Sequence, residues 1–371
     1  MEFKEYRFDE VTINFDKKRV PLSSTQRKRI QGEYRYYGAQ GVIDHINDFI
    51  FDGTYLLIAE DGENLKSKKQ DIAQVVDGQF WVNNHAHIVQ GNELCDTRYL
   101  CYLLNSMDLS GYITGSAQPK LSQSNLNAVS VFLPPITIQK EIVEYLYILD
   151  KKIAVNIAIN DNLEQQASAL FSSFYDRSNT EVRYTDLIQI LGGGTPKTGE
   201  NTYWNGNIAF FTPKDVGTPY TLITEKTITE EGLSHCNSRL YPVNTVFVTA
   251  RGTVGKVGMS GVPMAMNQSC YALVGKETHQ LLVYFYTLKA VDRLKHKASG
   301  AVFDAITTRD FESEQIMKLS DDDVKAFLCI AEPMFQKVLN NCIENLRLST
   351  LRDSLLPKLM SGEVDVSAVK L

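Results

Sequence analysis

The sequence predicts an α+β protein in which two similar mixed α/β domains are separated by two long antiparallel helices that form a coiled coil. Three observations predict this fold. Segments in the two halves of the chain resemble each other in the same order, at an offset of about 185 residues. Each half starts with short β-like runs punctuated by Gly, Asn and Asp, and each half ends in a long stretch with heptad spacing. Two copies of one unit in a single chain favour pseudo-two-fold symmetry.

Composition limits the class of protein. The chain of 371 residues is long enough for two or three domains, and its 43% hydrophobic and 22% charged residues are typical of globular proteins. No apolar run approaches the length of a membrane span, and the N-terminus lacks the pattern of a secretory signal. Six scattered cysteines without a C-x-x-C pair argue against a zinc site and a disulfide framework. We therefore expect a cytoplasmic protein, whose net charge of −6 argues mildly against nucleic-acid binding.

The first part of each half, residues 1–133 and 176–320, is predicted to form one of the two α/β domains. Five pairs of segments or single residues match between the halves: Tyr99–Leu104 with Tyr284–Lys289, Gly115–Leu121 with Gly300–Ile306, Leu126 with Phe311, Tyr55–Gly62 with Thr245–Gly252, and Asn83 with Asn267. Each match is weak alone, but their order and nearly constant offset indicate one unit used twice.

The second part of each half, residues 134–175 and 321–371, is predicted to form a long helix. Pro134 and Pro135 stand where proline is tolerated at a helix start, and Gly362 marks a helix end. About forty helical residues span about 60 Å, so we expect the β-rich domains at opposite ends of a rigid rod. The alternative is a helical core without any spacing role. The predicted seam consists of Ile142, Leu146, Leu149, Ile153, Asn156, Asn160, Leu163, Ala167, Leu170 and Phe174, and of Phe327, Ala331, Met334, Val338, Asn341, Asn345, Leu348, Arg352, Leu355 and Leu359.

Asparagines interrupt both seams at corresponding positions. Asn156 and Asn160 match Asn341 and Asn345, and a buried seam asparagine fixes the register of a coiled coil at a cost in stability. Replacing Asn156 and Asn341 together with leucine should therefore raise thermal stability and loosen the register. Pro333 departs from the pattern and should kink the second helix or mark its true start.

The motifs that would indicate catalysis or a bound cofactor are absent from the sequence. Gly194–Gly199 resembles a phosphate-binding loop but lacks the following Lys and Ser/Thr, and Gly252–Gly258 has the wrong spacing for a dinucleotide fingerprint. The only Pro-Pro pair opens a helix, so the Pro-Pro-Tyr/Phe motif of an amino-methyltransferase is missing. His85 and His87 lack further ligands nearby in the sequence and are interpreted as polar residues on a strand surface rather than a metal site.

Basic residues cluster in loops beside aromatic and amide side chains. This combination suits phosphate positioning together with reading of base edges, and the alternative for any single lysine is an ordinary solvated surface cation. Acidic segments elsewhere reconcile a locally basic face with the negative net charge. The candidate DNA-binding residues are Arg19, Arg27, Lys28, Arg29, Arg35, Lys66, Lys68, Lys69, Asn83, Gln118, Lys120, Lys214, Arg251, Lys256 and Asn267.

Several segments together resemble the DNA-specificity subunits of type I restriction–modification systems. The resemblance covers essentially the whole chain, and it rests on the order of the motifs and on the duplicated layout. The segments are Arg19–Ser23, Tyr36–Gly41, Phe51–Gly62, Leu133–Pro135, the helical stretches Gln139–Ile142 and Leu149–Ile153, Gly193–Pro196, Tyr203–Gly206, Thr212–Asp215 and Leu355–Gly362.

The resemblance implies a non-catalytic subunit with two target-recognition domains that each read one half of an asymmetric, split sequence in double-stranded DNA. It implies that the long helices form a spacer and a docking surface for two modification subunits, which use S-adenosylmethionine to methylate adenine at N6. Restriction subunits using ATP and magnesium would complete the complex, and this chain itself would bind no cofactor or metal. The turns at Gly115 and Gly300 differ in sequence, which indicates that the two domains read different half-sites.

Two other functions remain open at this point. One is a stand-alone DNA methyltransferase with unusual motifs, which binding of S-adenosylmethionine to the lone chain would reveal. The other is a coiled-coil scaffold without a nucleic-acid role, which an absence of salt-dependent DNA binding would favour.

Overall fold

The computed structural model describes residues 3–67, 70–115, 118–217, 219–297 and 305–366. By its internal contacts the chain divides into two compact units. Unit 1 comprises residues 1–151 and 348–371, and unit 2 comprises residues 152–347. Each unit therefore contains one α/β domain together with a segment of both long helices. The domain boundaries expected at residues 133, 175 and 320 remain predictions.

Unit 1 is built on a sheet whose described strands follow the order β2-β7-β5-β6-β3-β4. Neighbouring strands are antiparallel except β3 and β6, and β1 pairs separately with β8. The strands are β1 (Lys4–Arg7), β2 (Thr12–Asn14), β3 (Gln31–Gly38), β4 (Gly41–Ile46), β5 (Phe51–Ala59), β6 (Ala73–Val82), β7 (Ala86–Gly91) and β8 (Ser130–Leu133). The helices are α1 (Ser24–Arg29), α2 (Asn64–Ser67), α3 (Thr97–Ser106), α4 (Gln123–Asn127) and the start of α5 (Ile136–Arg177), with 3-10 turns at Phe8–Glu10, Asp16–Lys18 and Ser110–Tyr112.

Unit 2 repeats this plan with one strand divided. The described strands form the orders β10-β17-β14-β15-β12 and β13-β11-β16, and β9 pairs with β18. The strands are β9 (Glu181–Arg183), β10 (Ile188–Gly192), β11 (Trp204–Phe211), β12 (Tyr220–Thr221), β13 (Lys226–Ile228), β14 (Val246–Thr249), β15 (Val257–Ser260), β16 (Met264–Met266), β17 (Cys270–Gly275) and β18 (Gln315–Met317). The helices are α6 (Tyr184–Leu187), α7 (Glu230–Ser234), α8 (Gln280–Lys297), α9 (Thr308–Glu312) and α10 (Asp321–Ser361), with a 3-10 turn at Asn201–Tyr203.

The predicted internal repeat is confirmed in the strand pairing. β6 pairs with both β5 and β3, whereas in unit 2 β15 pairs with β14 and β16 pairs with β11. A close backbone approach also recurs where β7 and β17 end. A Cβ at Gly91 would lie 1.9 Å from the carbonyl oxygen of Cys95, and one at Gly275 would lie 1.9 Å from that of Thr278. Only glycine fits at either position.

Helices α3 and α8 cover the sheets of their units with apolar faces. Asp96 caps α3 by accepting hydrogen bonds from the backbone N–H groups of Arg98 and Tyr99. Tyr99, Leu100, Leu103 and Leu104 then face the core of unit 1, which also receives Ile142 and Leu146 of α5. In unit 2, Phe171 of α5 stacks on Phe285 of α8, with 5.1 Å between ring centroids.

The long helices run antiparallel. Asn156 donates from Nδ2 to Asn345 Oδ1 at 2.9 Å, and Asn341 donates from Nδ2 to Asn160 Oδ1 at 2.8 Å. Because Asn345 corresponds to Asn160 and Asn341 to Asn156, each contact is the two-fold counterpart of the other, as in an isologous interface. In unit 1, Arg352 pairs with Asp150 across the same two helices at 2.7 Å.

Two helix predictions need correction. Helix α10 begins at Asp321 and continues through Pro333, so this proline does not mark its start. The seam also differs from the prediction on both helices. On α5 the buried residues are Phe171 and Tyr175, whereas the predicted Leu170 and Phe174 are only half-buried. On α10 the buried residue is Phe335, whereas the predicted Met334 is half-buried. These helices face both each other and α8, so the buried face is wider than a two-helix seam. The predicted end is correct, since α10 ends at Ser361 and Gly362 has φ +74°.

The four asparagines between the helices, Asn156, Asn160, Asn341 and Asn345, are called the asparagine layer, and this layer should lower the stability of the fold. Oδ1 of Asn156 and Oδ1 of Asn341 are buried and accept no hydrogen bond from the described residues. The variant Asn156→Leu/Asn341→Leu removes both unpaired oxygens but deprives the buried Asn160 and the half-buried Asn345 of their donors. We expect this variant to gain less stability than one in which all four asparagines become leucine, by about 1–3 kcal/mol for one buried unpaired acceptor.

Thermal unfolding of the full chain measures the difference. Asn340→Leu, on the exposed face of α10, is the matched control and should change stability by less than about 0.5 kcal/mol. A fourfold variant less stable than the double variant would contradict the expected cost of the layer.

Candidate nucleic-acid interface

The two units build the same edge from three turns, and we call this surface the convergent edge. In unit 1 it comprises residues 60–62, 83–85 and 120–121, and in unit 2 residues 250–252, 267–269 and 305–306. The turn after β5 is joined to the other two by backbone hydrogen bonds from Glu60 N to His85 O (2.9 Å) and from Leu121 N to Glu60 O (2.8 Å).

The same pair of bonds recurs in unit 2, from Ala250 N to Ser269 O (2.8 Å) and from Ile306 N to Ala250 O (2.9 Å). Asp61 forms a bridge with Lys120, and Arg251 forms the equivalent bridge with Ala305. The edges are therefore equivalent position by position, although their side chains differ. When the backbone of a surface is the same and only its side chains differ, the binding preference can change without a change of fold.

Asn83 and Asn267, both candidate DNA contacts, also shape their turns. Asn83 Oδ1 accepts from the backbone N–H of His85 at 2.8 Å, and Asn267 Oδ1 accepts from that of Ser269 at 3.0 Å. Their own N–H groups donate to Tyr37 O and Phe211 O, each at 3.0 Å. Asparagine at both places closes a turn through its side chain, which explains why these positions match between the halves.

A buried ion pair supports the edge of unit 1. His87 Nδ1 lies 2.6 Å from Asp16 Oδ2, and His87 Nε2 lies 2.9 Å from the carbonyl oxygen of Leu121, which belongs to the convergent edge. Acceptors at both ring nitrogens favour the doubly protonated imidazolium, and the carboxylate raises the pKa of His87 although burial opposes this. The His87 imidazolium and the backbone N–H of Ile88 lower the pKa of Asp16 against the effect of burial.

The interpretation of the two histidines as strand-surface residues is therefore wrong for His87, which is buried. His85 is exposed and lies 2.8 Å from Asp61 Oδ2. The alternating pattern placed both on one side of a strand, but His85 belongs to the turn that precedes β7. No group of metal-ligating side chains is found among the described residues.

Two of the predicted DNA contacts are engaged inside unit 1. Arg19 pairs with Glu60 at 3.0 Å and with Asp16 at 3.4 Å, and it donates to the carbonyl oxygen of Ala86 at 2.8 Å. Arg27 pairs with Asp44 at 2.8 Å and lies over the ring of Tyr36. Both guanidinium groups hold segments of the fold together, and their contact with DNA stays a prediction.

The other candidates of unit 1 lie at several places on the surface. Lys28 and Arg29 are exposed at the end of α1, and Gln118 is exposed next to the convergent edge. Arg35 donates to the carbonyl oxygen of Asp77 at 2.7 Å, and Lys66 donates to that of Gly115 at 2.9 Å. Lys120 lies on the edge itself and pairs with Glu60 at 3.2 Å. Lys68 and Lys69 lie outside the described residues.

The candidates of unit 2 gather around one turn. Arg251 belongs to the convergent edge, and Lys256 ends the same turn; both side chains are exposed. Thr253 Oγ1 donates to the carbonyl oxygen of Pro213 at 3.2 Å, which brings the loop carrying Lys214 against this turn. Lys214 lies 3.7 Å from Glu225 and is largely exposed.

Sequence reasoning missed the acidic residues of the edge. Glu60 receives both Arg19 and Lys120, and these cations lower its pKa against the effect of burial. Asp61 occupies the position that Arg251 occupies in unit 2. The aligned runs Tyr55–Gly62 and Thr245–Gly252 contained this signal, because they place an aspartate opposite an arginine.

The duplicated edges and the antiparallel helix pair define a two-module recognition protein. The family model for the "Type I restriction modification DNA specificity domain" matches residues 1–165 and 177–318. The chain belongs to this family of type I restriction–modification specificity subunits. Membership in this family disfavours both the stand-alone methyltransferase and the scaffold.

Known proteins resemble the chain over different lengths. The HindI specificity subunit of Haemophilus influenzae is 23% identical, covering 84% of this chain and 84% of that protein. A putative type I restriction enzyme specificity subunit from the same organism is 34% identical over 37% of this chain, and this match spans only 35% of that relative. The crystal structure of the S subunit of a type I restriction–modification system from M. genitalium superposes with a TM-score of 0.64, covering 97% of this chain and 96% of that one at 14% identity. This structural similarity shows a shared fold.

No helix among the described residues is both long and apolar enough to cross a membrane.

Proposed function

We propose that this chain is the sequence-specific DNA-recognition subunit of a type I restriction–modification complex. Each unit reads one half of an asymmetric bipartite target, and helices α5 and α10 fix the length of the non-specific spacer between the halves. The observation that carries this proposal is the convergent edge, which is built twice with the same backbone hydrogen bonds and with different side chains. The two half-sites therefore differ in sequence.

The long helices also present a surface that suits protein partners. Ile148, Val155 and Ile159 lie at steps of seven and four along α5 and are exposed, as is Ile330 on α10. Exposed apolar residues at helical spacing are typical of helix docking. Two modification subunits dock here and methylate adenine at N6 with S-adenosylmethionine, and restriction subunits that use ATP and magnesium join the same cytoplasmic complex. This chain binds neither cofactor and is itself non-catalytic.

Methylation mapping tests the proposal. When the chain is co-expressed with the modification subunit from its own locus, we expect N6-methyladenine at one bipartite motif throughout the host genome. Single-molecule sequencing identifies the motif and both half-sites. Omission of the specificity chain is the control and should abolish the methylation. A stable complex of the two proteins that adds no methylation at any bipartite motif would contradict the proposal.

A further inference from the structure

The convergent edges of the two units carry opposite charges at equivalent positions. Asp61 in unit 1 corresponds to Arg251 in unit 2, because each forms a β-bridge from the first turn of its edge to the third, at Lys120 and at Ala305. Glu60 corresponds to Ala250, and Lys120 corresponds to Ala305. The edge of unit 1 thus carries two carboxylates where the edge of unit 2 carries an arginine and an alanine.

Each charge on the edge of unit 1 has an internal partner. Glu60 lies 3.0 Å from Arg19 Nη1 and 3.2 Å from Lys120 Nζ, and Asp61 lies 2.8 Å from His85 Nδ1. Lys120 is the cation of this edge that would meet an external anion. Its charge is neutralised by the mostly buried carboxylate of Glu60. Adding a phosphate would require separating that pair.

The edge of unit 2 has cations without such partners. Arg251 and Lys256 are exposed at the start and end of one turn, and Lys295 of α8 extends across it. A Cβ built at Gly255 would lie 2.6 Å from Lys295 Cε and 3.4 Å from Lys295 Nζ. Among the described residues, no carboxylate lies within 4.0 Å of the charged atoms of Arg251, Lys256 or Lys295.

Within the described part of unit 2, neighbouring charges form ion pairs elsewhere and not with these three cations. The other cations at the end of α8 are paired, since Lys297 lies 2.5 Å and Arg293 lies 3.7 Å from the buried Glu314. Asp215, in the loop that carries Lys214, accepts from Thr212 Oγ1 at 2.6 Å and from the backbone N–H groups of Thr212 and Glu225. Asp215 therefore accepts three hydrogen bonds from its own loops, whereas the side chains of Arg251, Lys256 and Lys295 make no hydrogen bond or ion pair with the described residues.

We propose that Arg251, Lys256 and Lys295 form a phosphate-binding site for the DNA backbone of one half-site, and that the edge of unit 1 has no counterpart to it. The inference rests on the proposed function, and it assigns the electrostatic attraction to DNA phosphates mainly to one of the two units. Unit 2 supplies the sequence-independent attraction through this cluster. Unit 1, with its neutralised edge, contributes mainly through polar contacts to bases.

Salt-dependent binding tests this assignment in the complex of the full chain with its modification subunits. The DNA is a duplex that contains the target found by methylation mapping. Each phosphate contact contributes about 0.9 to the slope of log Kobs against log salt. The Arg251→Gln and Lys295→Gln variants should each lower the slope by about this amount. The affinity advantage of the unchanged protein over each variant should then shrink by about 3.5-fold between 50 and 200 mM salt.

Lys120→Gln is the matched control at the equivalent edge of unit 1, and it should leave the slope unchanged. An equal loss of slope in this variant would overturn the proposed difference between the units. An unchanged slope for Arg251→Gln, or a loss restricted to one target base pair, would overturn the assignment to phosphate. If the unchanged complex does not prefer target DNA over other duplexes, the proposed function fails instead, whatever the variants do.

Discussion

Inserting seven residues into each long helix should lengthen the DNA spacer and leave both half-sites unchanged. Seven helical residues add about 10.5 Å, which is about three base pairs at 3.4 Å each. A heptad nearly preserves the phase of a helix, so the antiparallel seam is retained on both sides of the insertion. DNA also rotates with every added base pair, so we expect a spacer one to three base pairs longer. Methylation at the original spacing should be lost.

The structure dictates where these insertions belong. α5 passes from unit 1 to unit 2 after Lys151, and α10 returns to unit 1 after Arg347, so insertions at these two points leave the residues of each unit intact. Insertion into α5 alone is the control. It shifts Asp150 relative to Arg352 while the pair Asn156 and Asn345 stays in place, and it should reduce stability without producing a new target. A stable double-insertion variant that methylates the original motif would refute the spacing role of the helices.

The repeat and the antiparallel helices were predictable because both depend on patterns local to the sequence. A heptad is visible within a few turns, and an internal repeat needs only two segments to compare. The exact buried stripe was not predictable in the same way. Phe171 is buried because it stacks on Phe285, more than a hundred residues away, and this contact shifts the buried face of α5 past Leu170. Helix α10 continues through Pro333 although local propensity disfavours this.

The candidate site was predictable only in part, because the ionic partner of a cation is not set by its neighbours in the sequence. Arg19 and Arg251 both belong to basic or glycine-rich loops, and sequence reasoning treated them alike. Arg19 meets Glu60, which is 41 residues away, whereas Arg251 meets no carboxylate among the described residues. Composition identifies the basic loops, but only the fold separates a structural arginine from one available to an external anion.

Replacing His87 with glutamine should destabilise unit 1 by about 1.5–3 kcal/mol, the usual range for a hydrogen bond to a charged group. Asp16 would keep the backbone N–H of Ile88 and the guanidinium of Arg19, which lies 3.4 Å away, but would lose the imidazolium, its closer cation. The carbonyl oxygen of Leu121 would also lose its donor, so the edge turn that carries Lys120 should open more easily. Hydrogen exchange of the amides near residues 114–121 measures this opening, and thermal unfolding measures the global effect. His85→Gln is the matched control, because His85 is exposed and its loss should change stability by less than about 0.5 kcal/mol.

The pH dependence of the unchanged protein tests the same pair without any variant. The pKa of His87 is raised in the folded state, so its contribution is complete below the unfolded pKa near 6.5 and is lost as the pH rises through the folded value. The pKa of Asp16 is lowered, so its contribution is present above about pH 4 and is lost as the pH falls through the folded value. The pair therefore contributes fully between about pH 4 and 6.5, and unit 1 should lose stability above that range while His87 gives up its proton.

Because Tyr271 occupies the position of His87 in unit 2, that unit should lack this loss. A stability of unit 1 that rises steadily from pH 6.5 to 9 would mean that His87 is neutral in the fold, and the expected cost of His87→Gln would then fall to that of an ordinary hydrogen bond.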